Sequence, residues 1–337
     1  MPDSVSSVKS GARPTLKTIA YMTGLGVTTV SRALSDAPDI SQNTKNRVQA
    51  VAREIGYRPN RAGVRLRTGK TNVISLVLNI EREILGATSH LVFGLSQVLA
   101  DTPYHLIVTP YDIEHDPMEA VRYVVETGSA DGLVMSRTEP FDPRVQYLQE
   151  QGFPFATHGR TEWPQAHPFV DYDNFEYGRL AAQILAENGR TRLALLGPPR
   201  ALNYSIHMTD GVRSLLDELD LMEVPIREIN IDDPHEEISA EIERLMRSRH
   251  RPDGIICASA NAAIAATSGI EAAGLTLGKE VDLAVKESFD LLTRFRPQIH
   301  VIREDFREAG KDLARAIMGM IDGTPAEQLG FIHKPTR

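Results

Sequence analysis

From position 73 onward the chain repeats one pattern: a short apolar run of strand length, then an amphipathic stretch of helical period. The runs are 73–79, 105–111, 132–136, 153–158, 192–197, 254–258 and 281–285. Helical stretches at 118–126, 177–187, 211–219, 238–246 and 262–273 lie between them. Strands without apolar–polar alternation are buried on both faces. Alternating with helices, they specify a parallel sheet covered on both sides. A chain of 337 residues leaves room for about two or three such domains. Residues 130–136 (ADGLVMS) echo residues 252–258 (PDGIICA) at a displacement of 122, which points to two similar α/β lobes. Asp-Gly is also common at any turn into a buried strand, so the echo supports that reading without carrying it.

The first 72 residues are different. They hold 12 Lys and Arg against 4 Asp and Glu, whereas the remainder holds 25 against 41, within a net charge of −8. A basic head on an acidic body suits a nucleic-acid partner, because neutralising phosphates needs only local positive charge. Residues 1–14 are Ser-rich with little to bury and read as a disordered leader. From 15 to 56 the period is helical. Thr15 stands as N-cap before Leu16, and Ala20, Gly24 and Val30 provide a close crossing, a turn and a packing residue. A short helix from Val27 then presents Val27, Thr28, Ser31 and Arg32 on its outer face. Small polar groups with an arginine one turn later suit base edges and flanking phosphates. Ser41 and Thr44 open a third helix that stops at Gly56.

At these residues the chain resembles the LacI/GalR family of bacterial transcription regulators. The resemblance rests on Thr15-Leu16 through Thr29-Val30-Ser31-Arg32, then Tyr57-x-Pro59-Asn60, then Leu66, and extends loosely over 15–325. It implies an all-α helix-turn-helix domain (15–58), a hinge helix and linker (59–72) and an α/β body (73–337) of two Rossmann-like lobes of the periplasmic-binding-protein type. By the resemblance, Val27 and Thr28 read bases, and Arg32 contacts a base or phosphate. Thr15, Leu16, Ser31, Ser41, Thr44 and Tyr57 support the head or touch the backbone. Asn60, Arg61 and Leu66 belong to the hinge, where paired leucines wedge into the minor groove. Two departures weaken local helices: Gly26 replaces the usual capping serine, and Gly63 replaces a common hinge alanine. The hinge is therefore expected to fold only on DNA.

For the body, the resemblance puts crossovers near 160–163, 297–300 and 322–325. The proximal lobe is then about 73–160 plus 301–322, and the distal lobe about 164–296 plus the C-terminal tail. Good matches are Gly159-Arg160, Val170-x-x-Asp173-Asn174-x-x-x-Gly178, Leu196-Gly197-Pro198, Ala272-Ala273-Gly274-Leu275 and Arg303-Glu304-Asp305-Phe306. Asp173 and Asn174 either cap the following helix or touch ligand. The ligand pocket departs from the family pattern. Met208 stands where many members carry arginine, Ser259-Ala260 with Asn261 replaces an Asn-Asp pair, and Val285-Lys286-Glu287-Ser288 replaces Gly-aromatic-Asp-Asp. Glu287 keeps an acid where sugar hydroxyls are held. The usual cationic clamp is either absent or supplied from elsewhere, with Arg82, Arg137 and Arg160 as candidates. Tyr111, Tyr204, Phe141 and Trp163 are able to stack on a pyranose, though each such aromatic is more often plain core or rim packing. Asn203 completes the candidate set. The expected effector is a carbohydrate, such as an α-glucoside.

No run approaches ~18 apolar residues, the length a membrane span needs, and the N-terminus carries no secretory signal. The single cysteine, Cys257, excludes an internal disulfide and thiolate metal sites and fits a reducing cytoplasm. No phosphate-cradling, nucleophile-elbow or zinc-helix motif is present, no cofactor is called for, and catalysis is not expected. The cluster Asp232-Asp233 with Glu236-Glu237 reads as a solvated loop. The expectation is a cytoplasmic, homodimeric repressor on a pseudo-palindromic duplex, controlled by a small ligand. The rival is a solute-binding or enzymatic α/β protein with a generic nucleic-acid-binding head.

Overall fold

The computed structural model describes residues 14–58, 63, 65, 69–79, 87–111, 116–226, 228–288 and 291–337. The chain divides into two compact units, Met1–Thr71 and Asn72–Arg337. In the first, three helices run Leu16–Thr23 (α1), Val27–Leu34 (α2) and Gln42–Glu54 (α3). Thr15 and Thr18 form a reciprocal capping box on α1, and Gly24 takes the left-handed conformation (φ 67°) that turns the chain into α2. Gly26 caps α2 without a side-chain hydrogen bond, so one orphan amide there is left to solvent. Ser41 accepts from the Thr44 amide to open α3. Ile19, Ala20, Val30, Ala33, Val48 and Ala52 form the small core that holds the three helices together.

The second unit contains two parallel sheets. The first orders its strands β11-β5-β4-β3-β1-β2, with β1 Val73–Asn79, β2 His105–Tyr111, β3 Gly132–Ser136, β4 Phe155–His158, β5 Phe169–Tyr172 and β11 Gly330–His333. The second is ordered β10-β9-β8-β6-β7, with β6 Arg192–Leu196, β7 Met222–Glu223, β8 Gly254–Cys257, β9 Asp282–Glu287 and β10 His300–Arg303. Leaving β11 aside, the two sheets share one topology: each begins in the middle, steps to one edge, then returns and winds to the other. Such a sheet has a switch point, between β1 and β3 in the first and between β6 and β8 in the second, where loops leave the strand C-termini in opposite directions. The echoed Asp-Gly pairs occupy equivalent places. Asp131 accepts the Asn72 amide ahead of β1, and Asp253 accepts the Thr191 and Arg192 amides at the start of β6.

The crossovers differ from expectation. Phe169–Tyr172 pairs with β4, so the chain leaves the first sheet after Tyr172, not at 160–163. His300–Arg303 pairs with β9 and belongs to the second sheet; the return comes at 304–306. Gly330–His333 pairs with β5, which keeps residues up to 333 in the first sheet instead of the distal lobe. Only Thr336 reaches the second sheet, in an antiparallel bridge to Arg303. These strands are four residues long and include polar or basic positions, so they lack the apolar run that identifies a buried strand.

Helix packing on each sheet turns on glycine. A Cβ at Gly94 would lie 2.0 Å from the Arg307 carbonyl oxygen, and one at Gly310 would lie 2.2 Å from that of Leu91. The helices Ala87–Leu99 and Phe306–Ile321 therefore cross backbone to backbone.

Candidate functional site

In the head unit, Val27, Thr28 and Arg32 are solvent-exposed on α2, while Ser31 is half-buried. Arg32 does not stand alone: its guanidinium pairs with Asp39 at 2.6 Å, both side chains being about half exposed (53% and 48%). Two other head cations have internal tasks. Lys45 is buried against Asp36 at 2.7 Å, and Arg47 donates to the Thr23 carbonyl oxygen. Thr15, Ser41 and Thr44 serve as caps, and Leu16 and Tyr57 pack on the head core. Tyr21, which sequence reasoning passed over, is 90% exposed on α1; no periodicity marks an aromatic that packs on nothing. Asn60, Arg61 and Leu66 lie outside the described residues, as does the question of hinge folding.

In the body, the strand C-termini bring together residues far apart in sequence. Arg137 follows β3 at the first sheet's switch point, with φ +60°. Its Nη1 donates to Asp232 Oδ1 at 3.3 Å, and Nη2 pairs with the other carboxylate oxygen. Asp232 sits beside the second switch point, because the neighbouring Ile231 amide donates to the carbonyl of Gly197, just after β6, at 3.0 Å. The solvated-loop reading of Asp232 is thereby corrected. Its side chain is only 11% exposed, since an arginine from the other sheet covers it. Tyr111, at the end of β2, and Tyr204, from the second sheet's side, both lie within electrostatic range of the Arg137 guanidinium. Asn203 makes a second bridge. Its backbone amide donates to the Thr138 carbonyl at 2.9 Å, and its Nδ2 donates to the Arg160 carbonyl at 3.0 Å.

Arg160 donates from Nε to Asp171 at 2.8 Å and from Nη2 to the Tyr172 carbonyl, so it braces its own sheet. Asp173 caps the helix Asn174–Glu187 by accepting the Glu176 amide. Asn174 joins a buried chain across the crossing strands instead. It donates to Asp171 at 3.2 Å and to the Tyr172 carbonyl, and it accepts from Lys286 Nζ at 2.9 Å. Lys286 lies 2.8 Å from Glu304, whose carboxyl burial holds above the ordinary value. Glu287 has a structural task through one of its two carboxylate oxygens. It is 2% exposed, and Oε1 accepts the amides of Leu291 and Leu292, because the short helix Leu292–Phe295 begins there and its first N–H groups need an acceptor. Asn261 is half-buried in the first turn of the helix Ala260–Ala272, behind the capping Ser259. Phe141 and Trp163 meet edge to face at 5.3 Å, with the indole N–H donating to the Asp142 carbonyl. Arg82 lies outside the described residues. Among the described residues no helix is long and apolar enough to cross a membrane.

Comparison with known proteins agrees with both units. Residues 15–60 match the profile of bacterial regulatory proteins of the lacI family, and residues 182–332 match a periplasmic binding protein-like domain. The HTH-type transcriptional regulator AglR of Rhizobium meliloti is 33% identical over 319 residues, covering 91% of this chain and 87% of that protein. RafR of Escherichia coli, another HTH-type transcriptional regulator, is 30% identical and covers 95% and 96%. Among solved structures, the lac repressor dimer bound to operator and an anti-inducer superposes with a TM-score of 0.81 at 17% identity, covering 96% of this chain and 97% of that one. At that identity the likeness shows the fold.

Proposed function

The chain belongs to the lacI family of bacterial regulatory proteins and is a sequence-specific DNA-binding transcriptional regulator; from that premise we propose that it acts as a repressor whose operator affinity is set by a carbohydrate bound between the two sheets of the body. The observation that carries this reading is the Arg137–Asp232 pair, which bridges the loops at the two switch points. Ligands of open α/β sheets bind at such points, in contact with the loops that leave the strands. A relative, CelR, has been solved as a cellobiose complex. A ligand gripping both sheets changes how they close, and operator affinity then shifts by the coupling free energy.

The reading includes a cytoplasmic homodimer without catalytic activity. Phe93, Ile107 and Val108 are exposed apolar side chains on the helix Ala87–Leu99 and the edge strand β2, a surface that a second copy would cover. Two copies present two recognition helices to two half-sites.

Fluorescence anisotropy on a palindromic duplex, against a scrambled duplex at matched salt, tests the reading when mono- and disaccharides are added. The expected specificity ratio exceeds ~10³ and changes when a sugar binds. A ratio near one, or no response to any saccharide, overturns it.

The Arg32–Asp39 pair adds a sharper expectation. Arg32→Gln should cost ~1–3 kcal/mol of operator discrimination by loss of a base contact. Asp39→Asn removes an exposed pair worth at most ~1 kcal/mol and frees the guanidinium for phosphate. Non-specific affinity should therefore rise up to about fivefold, with one more phosphate contact in the salt slope. Salt titrations of both variants on both duplexes check this. An unchanged slope in Asp39→Asn would mean the pair does not restrain Arg32.

A further inference from the structure

We propose that the Arg137–Asp232 pair is the polar subsite that selects the effector, and that it selects an uncharged ligand with adjacent hydroxyls over a phosphorylated one. This deepens the reading above and rests on it. The pair joins the two switch points, so any ligand that contacts both sheets there meets it. Both members are held before a ligand arrives. Arg137 has a left-handed backbone (φ 60°), a conformation that a non-glycine residue adopts only when its surroundings hold it there. Its carbonyl is anchored by Arg144 Nη2 at 2.9 Å, and Arg144 is itself clamped by the buried Asp142 carboxylate at 2.6 Å. On the other side, the Asp232 amide donates to Asn230 Oδ1 at 2.9 Å, and Asn230 is fixed by Asp233. Two rigid turns thus present a guanidinium and a carboxylate to each other, which is the preorganisation a specific site needs.

The charge arrangement chooses the ligand class. Arg137, Arg144, Arg160 and Lys286 each face a carboxylate within the same set of strand ends and crossing strands. A phosphate carries about −1.5 to −2 charges at neutral pH. Placed at Arg137, it would compete with Asp232 and leave that carboxylate repelled in a mostly buried site. Adjacent hydroxyls do the opposite: one donates to Asp232 while its neighbour accepts from the guanidinium fork, and the charges stay balanced.

The test is calorimetry on the full chain with matched probe pairs: glucose and glucose 6-phosphate, trehalose and trehalose 6-phosphate, sucrose and sucrose 6-phosphate. Wild type should bind a neutral member at least tenfold more tightly than its phosphate. Asp232→Asn keeps the shape and frees the arginine, so the preference should shrink by tenfold or reverse. Arg137→Gln should weaken the neutral sugar by about tenfold and leave the phosphate excluded. Asp232→Ser serves as a second removal of the carboxylate, and melting curves of all variants verify folding. Tighter phosphate binding by wild type overturns the proposal. So does an unchanged preference in both Asp232 variants when neutral binding persists, and the cleft reading then stands. If no saccharide of either kind binds, the carbohydrate reading itself fails and the subsite fails with it.

Discussion

Val30→Asp is expected to abolish operator binding while leaving the melting of the body unchanged. Val30 is fully buried among Ile19, Ala20, Ala33, Val48 and Ala52, and Lys45, a buried cation of the head, is already engaged by Asp36. An unpaired carboxylate there costs several kcal/mol even after its pKa rises. The head is the small unit Met1–Thr71, and a domain's total stability is about 0.05–0.15 kcal/mol per residue, so the penalty is comparable to everything that holds it folded. Operator affinity should fall by at least about 10³, toward residual non-specific binding. The body has its own cores on both faces of two sheets, and its thermal transition should stay within about 1 °C of wild type. Anisotropy on the operator duplex and a calorimetric scan read the two halves separately. Binding within tenfold of wild type would deny that this cluster holds the recognition helix in place. A lowered body transition would deny that the two units fold independently.

The sequence made the fold legible where one physical requirement acted alone. The stretches 73–79 and 132–136 are strands at the bounds read from their apolar runs, because a strand covered on both faces has little room for polar side chains. The stretch 105–111 is also a strand at its read bounds, but as the largely exposed edge strand β2, so burial on both faces, expected from its apolar run, does not hold there. Helix α1 follows its cap Thr15 and ends at Gly24 for equally local reasons. Legibility fails where a short segment serves two purposes. The tetrapeptide Phe169–Tyr172 is a strand, yet it contains Asp171, which accepts from Arg160, so it read as a lead-in to the next helix and the first crossover was placed about ten residues early. The Arg137–Asp232 pair spans 95 residues, and no local period encodes a contact between the ends of two sheets. Lys286 showed only as a departure from the family pattern; its reason, a buried carboxylate at 304, becomes visible once both crossing strands are in place.

Lys286→Met should be the most damaging single change in the body that removes no core hydrocarbon. The ammonium is 11% exposed, lies 2.8 Å from Glu304, donates to Asn174 and sits 4.7 Å from the Tyr177 ring centroid. Without it, Glu304, at 1% side-chain exposure, loses its paired cation and keeps only the weaker influence of His333. Breaking such a pair costs ~3–5 kcal/mol, which for a unit of this size lowers the melting midpoint by roughly 10 °C. The deficit should depend on pH in a definite direction. Burial already raises the Glu304 pKa and Lys286 pulls it back, so the substitution raises it further. A carboxyl with a raised folded pKa binds its proton more tightly folded than unfolded, so its penalty is full above the folded pKa and fades as pH falls toward the unfolded value. The deficit should be largest near pH 8 and shrink toward pH 5. His158 and His167, which burial lowers to about 4, act oppositely and cost stability as pH falls below about 6.5. His167 does so alike in both proteins, whereas Lys286 adds to the lowering at His158, so its loss eases that cost in the variant and shrinks the deficit further at low pH. The quantity to measure is therefore the variant's midpoint minus the wild-type midpoint at each pH. Lys286→Met combined with Glu304→Leu should recover most of the stability, because apolar replacement of a buried pair is nearly neutral. A deficit that ignores pH, or that survives the double substitution, would mean the ammonium acts through Asn174 and Tyr177 instead. Because Asn174 opens the helix after the first crossing and Glu304 lies in the second, the recovered double variant also separates stability from control. It should melt like wild type, so any loss of its response to effector reads the coupling carried by the charged link between the crossing strands apart from the fold's stability.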